Sequence, residues 1–123
     1  MTSPTVLVVD DHAGFRATAR RMLERDGWTV VGEAADGSTA LTEAAALRPD
    51  VVLLDVGLPD ADGFGVADDL ASQNAGGPAI VLISSRDRSA YGGRIAASPA
   101  LGFIAKDDLD GPALRALLAQ VSS

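Results

Sequence analysis

At 123 residues, the chain is long enough for one domain with a single core, which we expect to span residues 1–123. Its formal net charge of −7 argues against direct nucleic-acid binding through a general phosphate-neutralising surface. The absence of cysteine excludes a disulfide framework and a thiolate metal site, and agrees with a reducing, cytoplasmic location. The first five residues lack the features of a secretory leader, and no apolar run approaches membrane-spanning length, so we expect no membrane partner.

Apolar runs typical of strands alternate with helical patterns along the chain. The predicted strands cover residues 5–9, 28–31, 51–55, 79–83 and 102–105. The predicted helices cover 13–26, a segment opened by 36–38 and ended by Pro49, 63–72, 88–97, and a segment that starts at 110–112 and carries an apolar stripe to Val121. Five such units without hairpin signals predict an α/β fold with a parallel sheet, helices on both faces and right-handed crossovers.

The predicted fourth helix, residues 88–97, is the weakest of these elements. It contains Gly92 and Gly93, each of which costs roughly 1 kcal/mol in a helix. We therefore expect this helix to be short, frayed or mobile.

Polar residues follow four of the predicted strands: Asp10 and Asp11 after the first, Asp55 at the end of the third, Ser84 after the fourth and Lys106 after the fifth. The carboxyl ends of parallel strands lie at one edge of a sheet, so these side chains should converge. Three carboxylates in a small site need a cation to stay ionised. An all-oxygen cluster favours Mg²⁺ over zinc.

A lysine and a hydroxyl beside a metal-bound carboxylate are the groups that phosphoryl transfer requires. The ammonium of Lys106 would neutralise charge on the phosphoryl oxygens, and Ser84 would donate a hydrogen bond to one of them. Asp55 is then the predicted nucleophile, forming an acyl phosphate.

These residues resemble the receiver domains of response regulators in two-component signalling, and the resemblance covers essentially the whole chain. The matching positions are the acidic pair Asp10 and Asp11, the phosphoacceptor Asp55, the loop residues Pro59 and Gly63, the switch hydroxyl Ser84, and Lys106. The resemblance implies a flavodoxin-like, doubly wound sheet of order 2-1-3-4-5.

The resemblance also implies a mechanism and partners. Asp55 would take a phosphoryl group from a phosphohistidine on a sensor histidine kinase or phosphotransfer protein, and the domain would catalyse only its own phosphorylation and dephosphorylation. Mg²⁺ would be held by Asp11, Asp55 and the backbone carbonyl of Gly57, with Asp10 acting largely through water. Ser84 and Phe103 would then move inward and reshape the surface of helix four, strand five and helix five. Homodimerisation on phosphorylation is expected through that surface.

Some positions depart from the family's common pattern. Phe103 replaces the more common tyrosine, so it offers no hydroxyl to report inward and outward positions. Asp107 stands where many receivers have proline, which puts a cis peptide bond after Lys106 out of consideration. Gly57 and Arg86 occupy positions that tune dephosphorylation in the family, without indicating a direction here.

The Lys-Asp-Asp-Leu and Ser-Ser-Arg-Asp runs are similar to those of receivers that precede a helix-turn-helix domain. The chain is therefore either a stand-alone receiver or part of a longer regulator that controls transcription.

Three other function classes compete. A flavodoxin-like flavin or nucleotide binder needs a Gly/Ser/Thr-rich loop after the first strand, where this chain has Asp10 and Asp11. An aspartyl-phosphate hydrolase has its nucleophilic aspartate after the first strand and a second aspartate two residues later. Here the corresponding positions are Asp10 and His12, so the second acid is missing. A phosphorylation-independent receiver would act only as a protein-interaction module, which the intact Asp55 and Lys106 argue against.

Single residues also have simpler interpretations. Asp11 could cap the first helix, and His12 is expected to be a solvated first-turn residue. The segment from Asp60 to Asp62 indicates turn chemistry. The arginines at positions 16, 20 and 21 are interpreted as a solvated helix face, with kinase docking as the alternative.

Overall fold

A computed structural model describes residues 4–73 and 77–122. Five strands alternate with five helices in this part of the chain. The strands are β1 (Thr5–Val9), β2 (Thr29–Ala34), β3 (Val51–Asp55), β4 (Ala79–Ser84) and β5 (Gly102–Ala105). The helices are α1 (Ala13–Arg25), α2 (Gly37–Leu47), α3 (Gly63–Gln73), α4 (Arg94–Ala97) and α5 (Gly111–Ser122). Two 3₁₀ turns, Arg88–Tyr91 and Lys106–Asp108, complete the pattern.

The five strands form one sheet in the order β2-β1-β3-β4-β5, and every neighbouring pair is parallel. The predicted α/β fold and strand order are therefore confirmed. The central strand β3 is buried along its whole length, which explains why its sequence is an uninterrupted apolar run up to Asp55. Since all strands run the same way, their carboxyl ends form a single edge.

Successive side chains of the strands point to opposite faces of the sheet, which gives two cores. On one face, β1, β3 and β4 contribute Leu7, Val9, Val52, Leu54, Ile80 and Leu82, covered by residues of α2, α3 and α4. On the other face they contribute Val6, Val8, Val51, Leu53, Val81 and Ile83, covered by residues of α1 and α5. In α5, Leu114 is fully buried, whereas the side chain of Val121 lies outside the described part of the chain. The doubly wound arrangement holds the polar edge between two packed layers.

Strand β2 differs from the prediction. It spans Thr29–Ala34 rather than 28–31. Gly27 adopts a φ of 95° and the amide of Trp28 still donates to the carbonyl of Leu23 at the end of α1, so pairing begins one residue later. The strand then continues through Gly32 and Glu33, because an edge strand can carry polar residues. The prediction ended the strand too early because it followed the apolar run alone.

The predicted fourth helix is replaced by two short pieces, the 3₁₀ turn Arg88–Tyr91 and the four-residue α4. Gly92 lies between them with φ 56° and ψ −132°, a backbone conformation that favours glycine. The expectation of a short helix is correct.

The described peptide bonds are trans, including that between Lys106 and Asp107.

Candidate functional site

Polar side chains follow four strands at the carboxyl edge of the sheet. Asp10 follows β1 and is fully buried, and Asp55 ends β3 with 6% of its surface exposed. Ser84 ends β4 and is also buried, and it pairs in register with Ala105, the residue before Lys106. The sheet thus places the sequence-predicted residues at one edge, although they are up to 96 positions apart in the chain.

Lys106 contacts both buried carboxylates. Its Nζ lies 2.5 Å from Oδ2 of Asp10 and 3.6 Å from Oδ2 of Asp55. The same ammonium lies 4.6 Å from the centre of the Phe15 ring on α1, within the range of a cation–π interaction. Because the lysine side chain is only 15% exposed, salt screens these interactions weakly. Lys106 is therefore positioned as the local counter-charge for Asp10 and Asp55.

The pKa of Asp55 is raised above its ordinary value. Burial is the main cause, followed by the negative charge of Asp10, with a smaller contribution from Asp11. The backbone N–H of Gly57, which donates to Oδ1 of Asp55 at 3.2 Å, and the ammonium of Lys106 lower the pKa and partly offset this shift. The site therefore carries more negative charge than its single lysine compensates.

Asp11 and His12 lie at the outer rim of the site. Nδ1 of His12 lies 3.1 Å from Oδ1 of Asp11 and 3.2 Å from Oδ1 of Asp10, with 71% of the imidazole side chain exposed. His12 is a solvated residue at the start of α1, as predicted, and it also contacts both acids. The alternative that Asp11 caps α1 is wrong: the residue before the helix is His12, it has no side-chain capping bond, and its amide donates to Asp10 at 2.8 Å.

The geometry fits a bound cation. One ligand atom from each of Asp10, Asp11, His12 and Asp55 can be chosen so that all four lie within 4.8 Å of one another. Three of the four donors are carboxylate oxygens, the ligands that Mg²⁺ prefers, whereas imidazole suits transition metals better. Three carboxylates face one ammonium, and the negative charge of Asp10 adds to burial, the larger cause, in raising the pKa of Asp55. A divalent cation on the carboxylates would compensate this charge.

Sequence reasoning missed Tyr91. Its hydroxyl oxygen lies 2.5 Å from Oγ of Ser84, which also accepts a hydrogen bond from the amide of Arg86 at 3.0 Å. The Tyr91 ring packs between those of Phe64 and Phe103, with centroid distances of 5.8 Å to each. Phe103 has no hydroxyl, but a tyrosine hydroxyl does lie beside Ser84, and it belongs to Tyr91 in the 3₁₀ turn before α4. The available signal was that Tyr91 is the only tyrosine in the chain.

The loop between β3 and α3 approaches the backbone of Asp55 closely at Gly63. The amide of Gly63 donates to the carbonyl of Val56 at 2.8 Å. A Cβ atom at Gly63 would lie 2.5 Å from the carbonyl oxygen of Asp55 and 2.6 Å from Cα of Val56. This position therefore requires glycine, which explains the glycine that the sequence places after Pro59.

The acids of this loop organise two helix starts. Asp60 accepts hydrogen bonds from the amides of Gly37, at 2.8 Å, and Ser38, and these bonds lower the pKa of Asp60. Asp62 accepts from the amide of Phe64 at 2.9 Å and pairs with Arg94 of α4 at 2.5 Å. The interpretation of these acids as turn-forming residues agrees with this arrangement, and the ion pair also links the loop to α4.

The interpretation of the α1 arginines as a solvated face is wrong for two of them. Nε of Arg16 and Nε of Arg20 donate to the two carboxylate oxygens of Glu33 on β2, at 3.0 and 2.9 Å. The hydrogen bond from Arg20 is the main cause of the lowered pKa of Glu33; burial acts in the opposite direction, and Arg16 lowers the pKa further. Arg16 also donates from Nη1 to the carbonyl of Asp10 at 2.7 Å, so it helps to fix the backbone of the site, whereas Arg21 is exposed.

Comparison with known protein families gives a match over most of the chain. The sequence model of the response regulator receiver domain matches residues 6–119. The chain is a response regulator receiver domain. The predicted resemblance is thereby confirmed.

Curated relatives of this receiver domain include a putative transcriptional regulator of Pseudomonas aeruginosa, 39% identical over 82% of this chain and 48% of that protein. The virulence factors putative positive transcription regulator BvgA of Bordetella pertussis is 36% identical over 84% of this chain and 49% of its own length. The receiver domain spans about half the length of these two relatives.

Solved structures agree with the receiver fold. The signal receiver domain of the putative response regulator NarL from Mycobacterium tuberculosis superposes with a TM-score of 0.85 at 35% identity, covering 100% of this chain and 99% of that one. The chemotaxis response regulator CheY4 of Vibrio cholerae gives 0.82 at 28% identity, covering 98% and 99%. The flavodoxin-like architecture is therefore that of the family.

Receiver domains of response regulators are modules of two-component signalling. Between residues 4 and 73 and between 77 and 122, this receiver domain has no helix that is both long enough and apolar enough to span a membrane.

Proposed function

We propose that this receiver domain is a phosphorylation-dependent switch in which Asp55 accepts a phosphoryl group from a phosphohistidine of a sensor kinase or phosphotransfer protein. The observation that carries the proposal is the environment of Asp55. It is a buried carboxylate with a raised pKa, placed at the end of β3 beside the Lys106 ammonium and among the carboxylates of Asp10 and Asp11. Burial of an acid among other acids is costly, so such a cluster is typical of a functional site.

In the proposed reaction, a carboxylate oxygen of Asp55 attacks the phosphorus of the phosphohistidine. The phosphorus–nitrogen bond breaks, its electron pair stays on the imidazole nitrogen, and an acyl phosphate forms on Asp55. Lys106, already 3.6 Å from Asp55, places its positive charge beside the incoming phosphoryl oxygens. Ser84, at the end of the neighbouring strand, donates a hydrogen bond to one of those oxygens.

Asp10, Asp11 and Asp55, together with the backbone carbonyl of Gly57, would hold Mg²⁺, with Asp10 acting largely through water. When bound, the ion neutralises charge on the carboxylates and on the phosphoryl oxygens. The proposal is supported by the oxygen-rich cluster at this edge of the sheet.

The proposed output is a change in the surface formed by α4, β5 and α5, through movement of Ser84 and Phe103. Phosphorylation-linked homodimerisation through that surface belongs to the same proposal. The two curated relatives are named as putative transcription regulators, and the matched region spans about half of their length, which supports a role in controlling transcription as part of a longer regulator.

The proposed function is tested by incubating the purified domain with acetyl phosphate and Mg²⁺ and measuring its intact mass. We expect one labile phosphoryl group per chain, and none when Mg²⁺ is removed with a chelator. If neither acetyl phosphate nor a phosphorylated histidine kinase gives an adduct, the switch is rejected and a phosphorylation-independent interaction module is favoured.

The metal assignment predicts the behaviour of Asp11→Ala. Losing one of three clustered carboxylates should weaken Mg²⁺ binding about tenfold or more, and slow phosphorylation at limiting Mg²⁺. The fold should persist because Asp11 is exposed and its described contact is with the exposed His12. A Mg²⁺ titration checks this, with the exposed acid Asp107→Ala as the matched control. Equal Mg²⁺ affinities in the wild type and Asp11→Ala would remove Asp11 from the site.

A further inference from the structure

The hydroxyl of Ser84 is already engaged in the unphosphorylated domain. Ser84 is 4% exposed, and its hydroxyl has two described hydrogen-bond partners. The amide of Arg86 donates to Oγ at 3.0 Å, and the hydroxyl of Tyr91 lies 2.5 Å from the same atom. Neither group belongs to the acid cluster around Asp55.

The distance between the two hydroxyl oxygens allows either Ser84 or Tyr91 to be the donor, and the other contacts of each hydroxyl favour one direction. A serine hydroxyl has one proton and two lone pairs, and the Arg86 amide occupies one lone pair. Of the two described partners, only the oxygen of Tyr91 can accept a proton. Tyr91 itself is partly exposed, so its own hydroxyl can donate a hydrogen bond to water. The arrangement therefore favours donation from Ser84 to Tyr91.

We propose that Tyr91 is a positioning residue for Ser84, and that its hydroxyl oxygen competes with the phosphoryl oxygen for the single Ser84 proton. This inference rests on the proposed function. Phosphorylation would transfer the Ser84 hydrogen bond from Tyr91 to the phosphoryl group and release the tyrosine. The bond in the unphosphorylated domain then opposes the switch.

The release of Tyr91 would reach the proposed output surface by direct contact. Its ring lies between Phe64 of α3 and Phe103 of β5, at 64° and 54° to their planes. Three residues further along, Arg94 of α4 lies 4.3 Å from the centre of the Phe64 ring and pairs with Asp62. A displaced tyrosine ring would therefore lose its contacts with α3 and β5, and the Phe64–Arg94 contact connects the same ring cluster to α4.

The test is Tyr91→Phe, which keeps the ring and removes only the hydroxyl. Because the competing hydrogen bond is lost, phosphorylation by acetyl phosphate with Mg²⁺ should accelerate by about threefold to tenfold, the effect of one net hydrogen bond. Ser84→Ala should be slower than wild type, and Tyr91→Phe should have no further effect in that background. The two variants together form a double-mutant cycle for the Ser84–Tyr91 pair.

A second readout follows Tyr91 directly. With ring-¹³C-labelled tyrosine, the domain has a single labelled site. Its resonance should shift on phosphorylation of the wild type and stay unchanged in Asp55→Asn under the same conditions.

The outcomes separate the two proposals. A wild type that gains no phosphoryl group overturns both the proposed function and this inference. A phosphorylated wild type with an unchanged or reduced rate in Tyr91→Phe overturns only the competition. Equal acceleration by Tyr91→Phe in the Ser84→Ala background also overturns it, since the effect would then arise from ring packing. A tyrosine resonance that does not respond to phosphorylation contradicts the release of Tyr91.

Discussion

Replacing Asp55 with asparagine is expected to abolish the phosphoryl adduct formed with acetyl phosphate and Mg²⁺. The amide that replaces the carboxylate is a poor nucleophile at phosphorus, and the buried position at the end of β3 leaves little room for water or another side chain to take its place. Intact mass spectrometry of the two proteins, treated in parallel, measures the difference. Asp69→Asn, which changes an exposed acid on α3, is the matched control and should be phosphorylated like the wild type.

An adduct of equal yield on Asp55→Asn would move the phosphoacceptor to another residue and contradict the assignment. The adduct would also be lost if Asp55→Asn misfolded, and the stability of this variant distinguishes the two causes. Because burial and Asp10 raise the pKa of Asp55, the ionised carboxylate is less favourable in the folded domain than in the unfolded chain. Asp55→Asn should therefore unfold at the same or higher denaturant concentration than the wild type when Mg²⁺ is absent.

The pH dependence of that stability has a defined sign. Between the ordinary pKa of an aspartate and the raised pKa of Asp55, the folded domain binds more protons than the unfolded chain. The contribution of Asp55 to the free energy of unfolding should therefore decrease as the pH rises through this window, and it is obtained as the difference between the wild type and Asp55→Asn. Asp55→Asn should lack this decrease, and Mg²⁺ should reduce it in the wild type. Denaturant unfolding at several pH values, with and without Mg²⁺, measures both effects.

The candidate site was predictable from the sequence because parallel strands place their carboxyl ends together. Once β1, β3 and β5 were assigned from their apolar runs, Asp10, Asp55 and Lys106 had to meet at one edge, whatever the intervening helices did. The structure places the lysine ammonium within 4 Å of both carboxylates.

Other contacts depend on details that local patterns do not contain. The ion pairs of Arg16 and Arg20 with Glu33 require β2 to extend to Ala34, and the sequence pattern ended that strand at residue 31. Tyr91 lies in a segment whose glycines weaken any helical period, so the direction of its side chain could not be deduced from spacing. Both errors arise where tertiary contacts override a weak local preference.

Gly63→Ala should produce the second large effect, because the added methyl group has no space. It would lie 2.5 Å from the carbonyl oxygen of Asp55 and 2.9 Å from that of Val56. Neither oxygen can easily retreat: β3 is paired on both sides, and the amide of Val56 donates to the carbonyl of Ile83 at 3.0 Å. We expect a loss of about 1–3 kcal/mol in the free energy of unfolding, the usual range for an overpacked core.

The same substitution should also slow phosphorylation. The clash falls on the backbone that carries Asp55, and a displacement of about 1 Å at a reacting group can reduce a rate about 100-fold. Denaturant unfolding and the acetyl phosphate assay measure the two consequences separately.

Gly65→Ala supplies the matched control for Gly63→Ala, two residues further along α3. A Cβ atom there meets no other atom within 4 Å. Alanine favours a helix over glycine by up to about 1 kcal/mol, so Gly65→Ala should be as stable as the wild type or more so, with an unchanged phosphorylation rate. If Gly63→Ala behaved like Gly65→Ala in both assays, the close approach of α3 to Asp55 would not constrain the phosphoacceptor. A selective defect in Gly63→Ala would instead show that the glycine after Pro59 acts through packing against the backbone of the site.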